Sequence, residues 1–392
     1  MHRPPLEVAD IFRIYGSQYR QKHRCSKQQL TVMHAIEICR TAKLGGHIDQ
    51  CDRCGYRAIS YNSCRNRHCP KCGWLARAKW LEQRQSELLP VAYFHVVFTV
   101  PEQIAPLALQ NKRAIYNILF AAVSQTLLTI ASDAKHLGGR IGLLGVLHTW
   151  GQTLTHHPHV HCVVAGGGIS KDGLRWIPSK GKRFFLPMAV LSRMFRGKFL
   201  AMLKEAFGAG KLKFHGSLAS LNDAVKLSQY LRPLYRLNWV VYCKPPFGGP
   251  EQVLRYLGRY THRIAISNDR LLSIENDHVS FRYKDYRDAS QVKIMRLQSE
   301  EFIRRFLMHV LPAHFVRIRH YGFLANAARK KQLLLCRKLL DTTPPDPIPQ
   351  QDWKERYQSL TGQPADLCPS CNSGRMIQVQ ILIPLRIAID SS

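Results

Sequence analysis

Four cysteines in two C-x2-C pairs, Cys51/Cys54 and Cys69/Cys72, constrain this chain more than any other feature. A C-x2-C turn brings two thiolates around one ion, and two such turns complete a tetrahedral zinc site. The pairs are separated by 14 residues, slightly short of the usual gap. Disulfide frameworks belong to small secreted chains, and 12 cysteines in 392 residues do not make one. The expected site is a closed, structural Zn2+ on Cys51, Cys54, Cys69 and Cys72. His47, Cys64 and His68 lie in the same stretch as alternates or as part of a second site. Arg65, Arg67 and Lys71 stud the cluster and suit a phosphate-facing surface, or else a solvated one.

Charge narrows the partners. Lys plus Arg number 57 and Asp plus Glu 26, a net charge of +31. Such an excess points to a polyanion, nucleic acid first and a membrane surface second. With 45% hydrophobic and 21% charged residues, the composition is globular and not that of a disordered basic tail. The stretch VAYFHVVFTV is ten residues long, well below the roughly 20 needed to span a bilayer. The start, MHRPPLEVAD, has no apolar signal-peptide core. A cytoplasmic, DNA-associated protein with no membrane partner is expected. FGAGKLK lacks the glycine spacing and the Ser/Thr of a Walker A loop, so no nucleotide cofactor is expected.

Periodicity predicts helices over 10–45 and 74–89. From residue 90 the order reads β-α-β-β-α-α-β-α-β-β, which suits an α+β fold with helices on a sheet. The expected domains are a zinc-binding, DNA-binding segment at 1–89, a catalytic domain at 90–298 and a basic helical segment at 299–341. A Pro-rich linker (TTPPDPIPQ) and tail occupy 342–392. The tail pair Cys368/Cys371 is a half-site with no evident complement.

Residues 156–161 read HHPHVH. On a strand, His159 and His161 share one face and Val160 the other. Two imidazoles so placed can hold one divalent ion. Gln152, His157 and His262 are open candidates for a third ligand. An open site of this kind suits Mg2+ or Mn2+ working on a phosphate oxygen.

Tyr256 and Tyr260, in RYLGRYTHR, fall four residues apart on an expected helix and share its face. Arg255, Arg259, His262 and Arg263 surround them, a poor setting for a core and one that favours phenolate. Such a phenol can attack a phosphodiester. Farther on, residues 314–338 carry Arg317, Arg319, Arg329, Lys330 and Lys331 with no acid and read as a DNA-contacting turn and helix.

Taken in order, NSCRNRHCPKCG (62–73), HPHVHCVVAGGG (157–168), YLGRYTHR (256–263) and RIRHYGFLANAAR (317–329) resemble the two-tyrosine rolling-circle insertion-sequence transposases of the HUH endonuclease superfamily, the IS ninety-one family. The resemblance spans nearly the whole chain. It implies a zinc-ribbon-like N-terminal domain that helps recognise element ends, an HUH-type nuclease domain of antiparallel sheet with flanking helices, and helical C-terminal additions. It implies His159 and His161 as metal ligands and Tyr256 and Tyr260 as nucleophiles. Each tyrosine would cut single-stranded DNA at an element end, leaving a 5′-phosphotyrosine and a free 3′-OH for transfer to target DNA. Without a helicase domain in the sequence, a host helicase would open the duplex in a bacterial cytoplasm. Two other readings compete. A non-catalytic zinc-containing nucleic-acid-binding regulator has no use for HPHVH or the tyrosine pair. An acid-triad transposase needs three carboxylates around two metals, and no spacing suggests them.

Overall fold

The computed structural model describes residues 5–179, 186–244, 252, 253, 258, 264–286, 288–344 and 351–385. Helices α1 (Val8–Lys22) and α2 (Lys27–Glu37) precede strands β1 (Gly46–Cys51) and β2 (Arg57–Tyr61) and helix α3 (Trp74–Gln85). Strand β3 (Tyr93–Thr99) is followed by α4 (Ile104–Gln110), α5 (Lys112–Ser132), β4 (Gly139–Trp150), β5 (His156–Ser170) and β6 (Trp176–Pro178). Next come α6 (Met188–Gly208), α7 (Ala224–Leu231), β7 (Val241–Lys244), β8 (Leu271–Glu275), β9 (His278–Asp285) and β10 (Gln291–Gln298). The chain ends with α8 (Ser299–Met308), β11 (Ile318–Gly322), α9 (Arg329–Leu339), α10 (Trp353–Thr361) and β12 (Met376–Leu382).

Two compact units result. One combines 1–79, 264–310 and 347–392; the other combines 80–263 and 311–346. The continuous division expected at 1–89, 90–298, 299–341 and 342–392 gives way to units built from separated segments. Strand pairing is the physical reason: β12, from the tail, pairs antiparallel with β1 in a sheet of order β12-β1-β2.

In the first unit, Ser26 and Gln29 form a capping box that starts α2 cleanly. Helices α1 and α2 bury Val8, Ile11, Phe12, Val32, Met33 and Ile36. Phe12 meets Phe306 of α8 edge-on at 5.3 Å. The segment LLSIENDHVSFRYKD forms the hairpin of β8 and β9, and β10 extends it into a three-stranded antiparallel meander.

The second unit is built on a sheet of order β11-β4-β5-β3-β7, every neighbouring pair antiparallel, with β6 added on β5. One core buries Phe94, Val96, Phe98, Leu147, Val160 and Val164 against α4–α7. Helix α5 is long and apolar enough to cross a membrane, yet here it is a core helix with Tyr116, Leu119, Phe120 and Val123 buried. Its apolar side chains contribute roughly 1.5–3 kcal/mol each on burial. A second core buries Tyr93, Leu144, Val146, Val163, Phe323, Leu333 and Val253, with Trp80 and Leu81 packed against it. Alternation along the strands makes this the opposite face of the sheet. The chain is therefore α+β with antiparallel sheets, as expected.

Candidate functional site

The strand register assembles a histidine cluster on that second face. His148 of β4 lies directly opposite His159 of β5, so both side chains leave the same side of the sheet. His161, two residues on, shares that side. Ligand nitrogens of His148, His159 and His161 all lie within 4.8 Å of one another. The third imidazole is thus His148, which the sequence reading did not name. His157 lies outside the trio, and its carbonyl instead accepts from His159 Nδ1 at 2.7 Å. Gln152 lies between β4 and β5, and His262 lies outside the described residues. The fourth histidine of the run, His156, faces the other core, where its Nε2 meets the Tyr116 hydroxyl at 2.8 Å.

A further histidine supports the trio. His95 of β3 opposes Val163, one diagonal step from His161. His95 Nε2 lies 2.9 Å from His161 Nδ1, and the two rings stack at 5.1 Å. Burial, reinforced by Lys244 and His159, pushes the His95 pKa down to about 3, so its ring is neutral. The His159 Nδ1–H donates to the His157 carbonyl, and a proton on His161 Nδ1 would be donated in the same way to His95 Nε2. That tautomer leaves Nε2 bare on both rings, the state a metal ligand needs. The donor set therefore fits a divalent ion with open positions. A register shift in β4 between His148 and Trp150 bends the strand end beside the cluster. The signal for His148 and His95 was present as single histidines in GVLHTWG and YFHVVFT, but only the register brings them together.

Tyr256 and Tyr260, with Arg255, Arg259 and Arg263, lie outside the described residues. Two described neighbours bracket Tyr256. Val253 is helical and fully buried in the core of the histidine face. Gly258 is also helical, and a Cβ there would stand 2.9 Å from Leu81 Cδ1, in the same cluster.

The cysteines sort into two groups, which corrects the expected single site. Cys69 and Cys72 join Cys39 and Cys64; Cys51 and Cys54 join Cys368 and Cys371. In the first group Cys39–Cys72 and Cys64–Cys72 sulfurs are 3.5 and 3.6 Å apart. Those separations match the edge of a tetrahedron with Zn–S of about 2.3 Å, roughly 3.8 Å. Hydrogen bonding among the thiols holds Cys39, to about 7, and Cys72 below the ordinary thiol value and pushes Cys64 and Cys69 above it. The C-x2-C pairs separate because β1 and β2 carry Cys51 and Cys54 to one end of their sheet, whereas Cys64–Cys72 folds back on Cys39 after α2. His47 pairs with Asp49 at 3.2 Å, and neither it nor His68 joins a group.

The basic residues differ in exposure. Arg65, Arg67, Lys330 and Lys331 are exposed. Lys71 is turned inward, its Nζ 2.8 Å from Glu7 and its side chain only 7% exposed. Arg319 stacks on Phe120 at 4.3 Å and donates to Asn117 at 2.6 Å. Arg329 pairs with Glu87 at 3.2 Å. The turn-and-helix expected at 314–338 contains a strand, β11, and the half-buried Arg317 accepts on its carbonyl from Leu147 N–H to extend the ladder onto β4.

A family model described as "Putative transposase" matches residues 142–332, and one described as "Transposase zinc-binding domain" matches 11–100. The "Putative transposase y4qJ" of Sinorhizobium fredii (strain NBRC 101917 / NGR234) is 56% identical over 97% of this chain and 96% of its own length. The chain belongs to this transposase family. The "Transposase for insertion sequence element IS801" of Pseudomonas savastanoi pv. phaseolicola is 28% identical over 89% of the chain and 83% of its own length. No solved structure matches. The IS ninety-one identification read from the four motifs therefore holds, and DNA is the transposase's partner. The first family match spans the histidine trio; the second contains the whole Cys39/Cys64/Cys69/Cys72 group, a fit to structural Zn2+.

Proposed function

We propose that this transposase nicks and transfers single-stranded DNA at insertion-sequence ends through a covalent phosphotyrosine. The observation that carries the reading is the convergence of His148, His159 and His161, with His95 behind them, on one sheet face. Val253 and Gly258, on either side of Tyr256, pack in the core of that same face. Three imidazoles with open positions suit Mn2+ or Mg2+, which when bound would polarise the scissile phosphate. The chain's own residues then do the chemistry. The phenolate oxygen of Tyr256 or Tyr260 forms a bond to phosphorus. The bond from phosphorus to the 3′ oxygen breaks, and that oxygen leaves as a free 3′-OH after taking a proton. The phosphodiester energy is kept in the 5′-phosphotyrosine. Later attack by a 3′-OH rejoins the strand and returns the phenol, so no nucleotide cofactor is consumed. Two tyrosines allow two linked transfers, as rolling-circle movement of one strand requires. Single strands would come from a host helicase.

Arg65, Arg67, Lys330 and Lys331 would contact the backbone phosphates of the DNA. A non-catalytic zinc-containing regulator would leave the histidine trio without a purpose. The deciding experiment mixes labelled single-stranded DNA bearing element ends with protein and Mn2+ or Mg2+ on a denaturing gel. A labelled band at protein mass is expected, lost with EDTA and with Tyr256→Phe plus Tyr260→Phe. Tight DNA binding without any adduct would favour the regulator.

A further inference from the structure

The tail pair Cys368/Cys371 finds its complement in the N-terminal unit. Cys51–Cys371 and Cys54–Cys368 sulfurs are each 3.7 Å apart, and all four lie within 4.8 Å of one another. Those spacings again approximate the roughly 3.8 Å edge of a tetrahedral zinc–thiolate site. Both turns have the form that presents sulfur to a metal, with backbone N–H groups aimed at it. Arg53 and Cys54 N–H point to Cys51 Sγ at 3.4 and 3.5 Å, and Gly374 N–H points to Cys371 Sγ at 3.3 Å. Gly374 is required there, because a Cβ would collide with the Cys51 sulfur.

We propose that Cys51, Cys54, Cys368 and Cys371 hold a second Zn2+ that fastens the C-terminal tail to the N-terminal unit. The transposase then carries two structural zinc ions, and only one has all its ligands inside the segment matched as a zinc-binding domain. Four cysteines and no open coordination position make the site closed, so the ion serves structure and not chemistry. The surroundings fit a clasp. Asp52 N–H donates to the Arg375 carbonyl at 3.0 Å, and Asp52 Oδ1 accepts from Arg375 N–H at 2.7 Å. Beyond the turn, β12 adds the third strand to β1 and β2. A hairpin alone is marginal in water, so the tail strand and its ion stabilise the sheet together. This inference stands apart from the phosphotyrosine reading and does not depend on it.

The test is zinc content of the full-length protein, purified under reducing conditions and measured by mass spectrometry of the metal. Two zinc ions per chain are expected. Cys368→Ser plus Cys371→Ser should lower the content to one, and trypsin should then cut at Lys354 or Arg356 and release the tail faster. Cys25→Ser, outside both groups, should retain two. Cys371→His guards against a tail variant that merely misfolds, since a histidine can still ligate and should keep the second ion. One zinc in the unaltered chain, or unchanged content in the double tail variant, would overturn the proposal. So would an intact mass lighter by the hydrogens of two disulfides.

Discussion

His159 Nε2 and His161 Nε2 stand 3.1 Å apart, each with its other ring nitrogen tied to a partner behind it. Two residues on one strand thereby aim the same atom at one point. His148 reaches that point from the neighbouring strand. The geometry makes the site a property of the sheet's register and not of a loop.

Replacing His148 with Ala should therefore cut adduct formation by about a hundredfold or more, comparable to the loss at His159 or His161. His157→Ala, outside the trio, should cost far less. Equal losses at His148 and His157 in a gel-based adduct assay would contradict the assignment.

His95→Ala leaves all three ligands in place but frees the His161 ring. Metal affinity should fall by about 10–100-fold, as it does when such a supporting partner is removed. The check is adduct formation against Mn2+ concentration. Activity should return at high Mn2+, whereas a variant that had lost a ligand outright would stay inactive.

Lys71 and Lys330/Lys331 should behave oppositely. Lys71→Ala removes the ammonium paired with the nearly buried Glu7 carboxylate and should destabilise the first unit, by up to about 3–5 kcal/mol. Denaturant unfolding measures that loss. Lys330→Ala plus Lys331→Ala should leave stability alone and reduce the slope of log affinity against log salt by about 2. A salt slope that responds to Lys71 and not to the exposed pair would reverse the two roles.

Glu301 supplies a pH dependence. Hydrogen bonds from Arg304 and Arg305 lower its pKa from 4.5 to about 2. The folded value lies below the unfolded one. Its contribution is therefore complete above about pH 4.5 and fades as pH falls towards 2. The side chain is 30% exposed, so solvent screening keeps the effect to about 1 kcal/mol or less. Glu301→Gln should flatten the stability profile in that window only.

Local pattern carried much of this structure. Strand character is legible in VAYFHVVFTVP (91–101) and RIGLLGVLHTWGQ (140–152), which form β3 and β4, and alternation along HPHVH put His159 and His161 on one face. What stayed hidden depends on pairing between distant segments. His148 joins the site because a hairpin register places it opposite His159. His95 joins because β3 pairs with the far edge of β5. The cysteine pairs looked like one site because they are neighbours in sequence, yet the strand pairing of β1 with β12 sends Cys51 and Cys54 elsewhere. The basic run at 314–338 gave no sign that Arg319 and Arg329 are spent on internal partners.

The pairing of β1 with β12 also sets an order of assembly. Cys51 emerges early in synthesis and meets Cys371 only 320 residues later. Until then the first sheet lacks its edge strand and half the thiolates of one cluster. A chain interrupted upstream of Cys368 would leave β1 and β2 as a bare hairpin beside half a cysteine group.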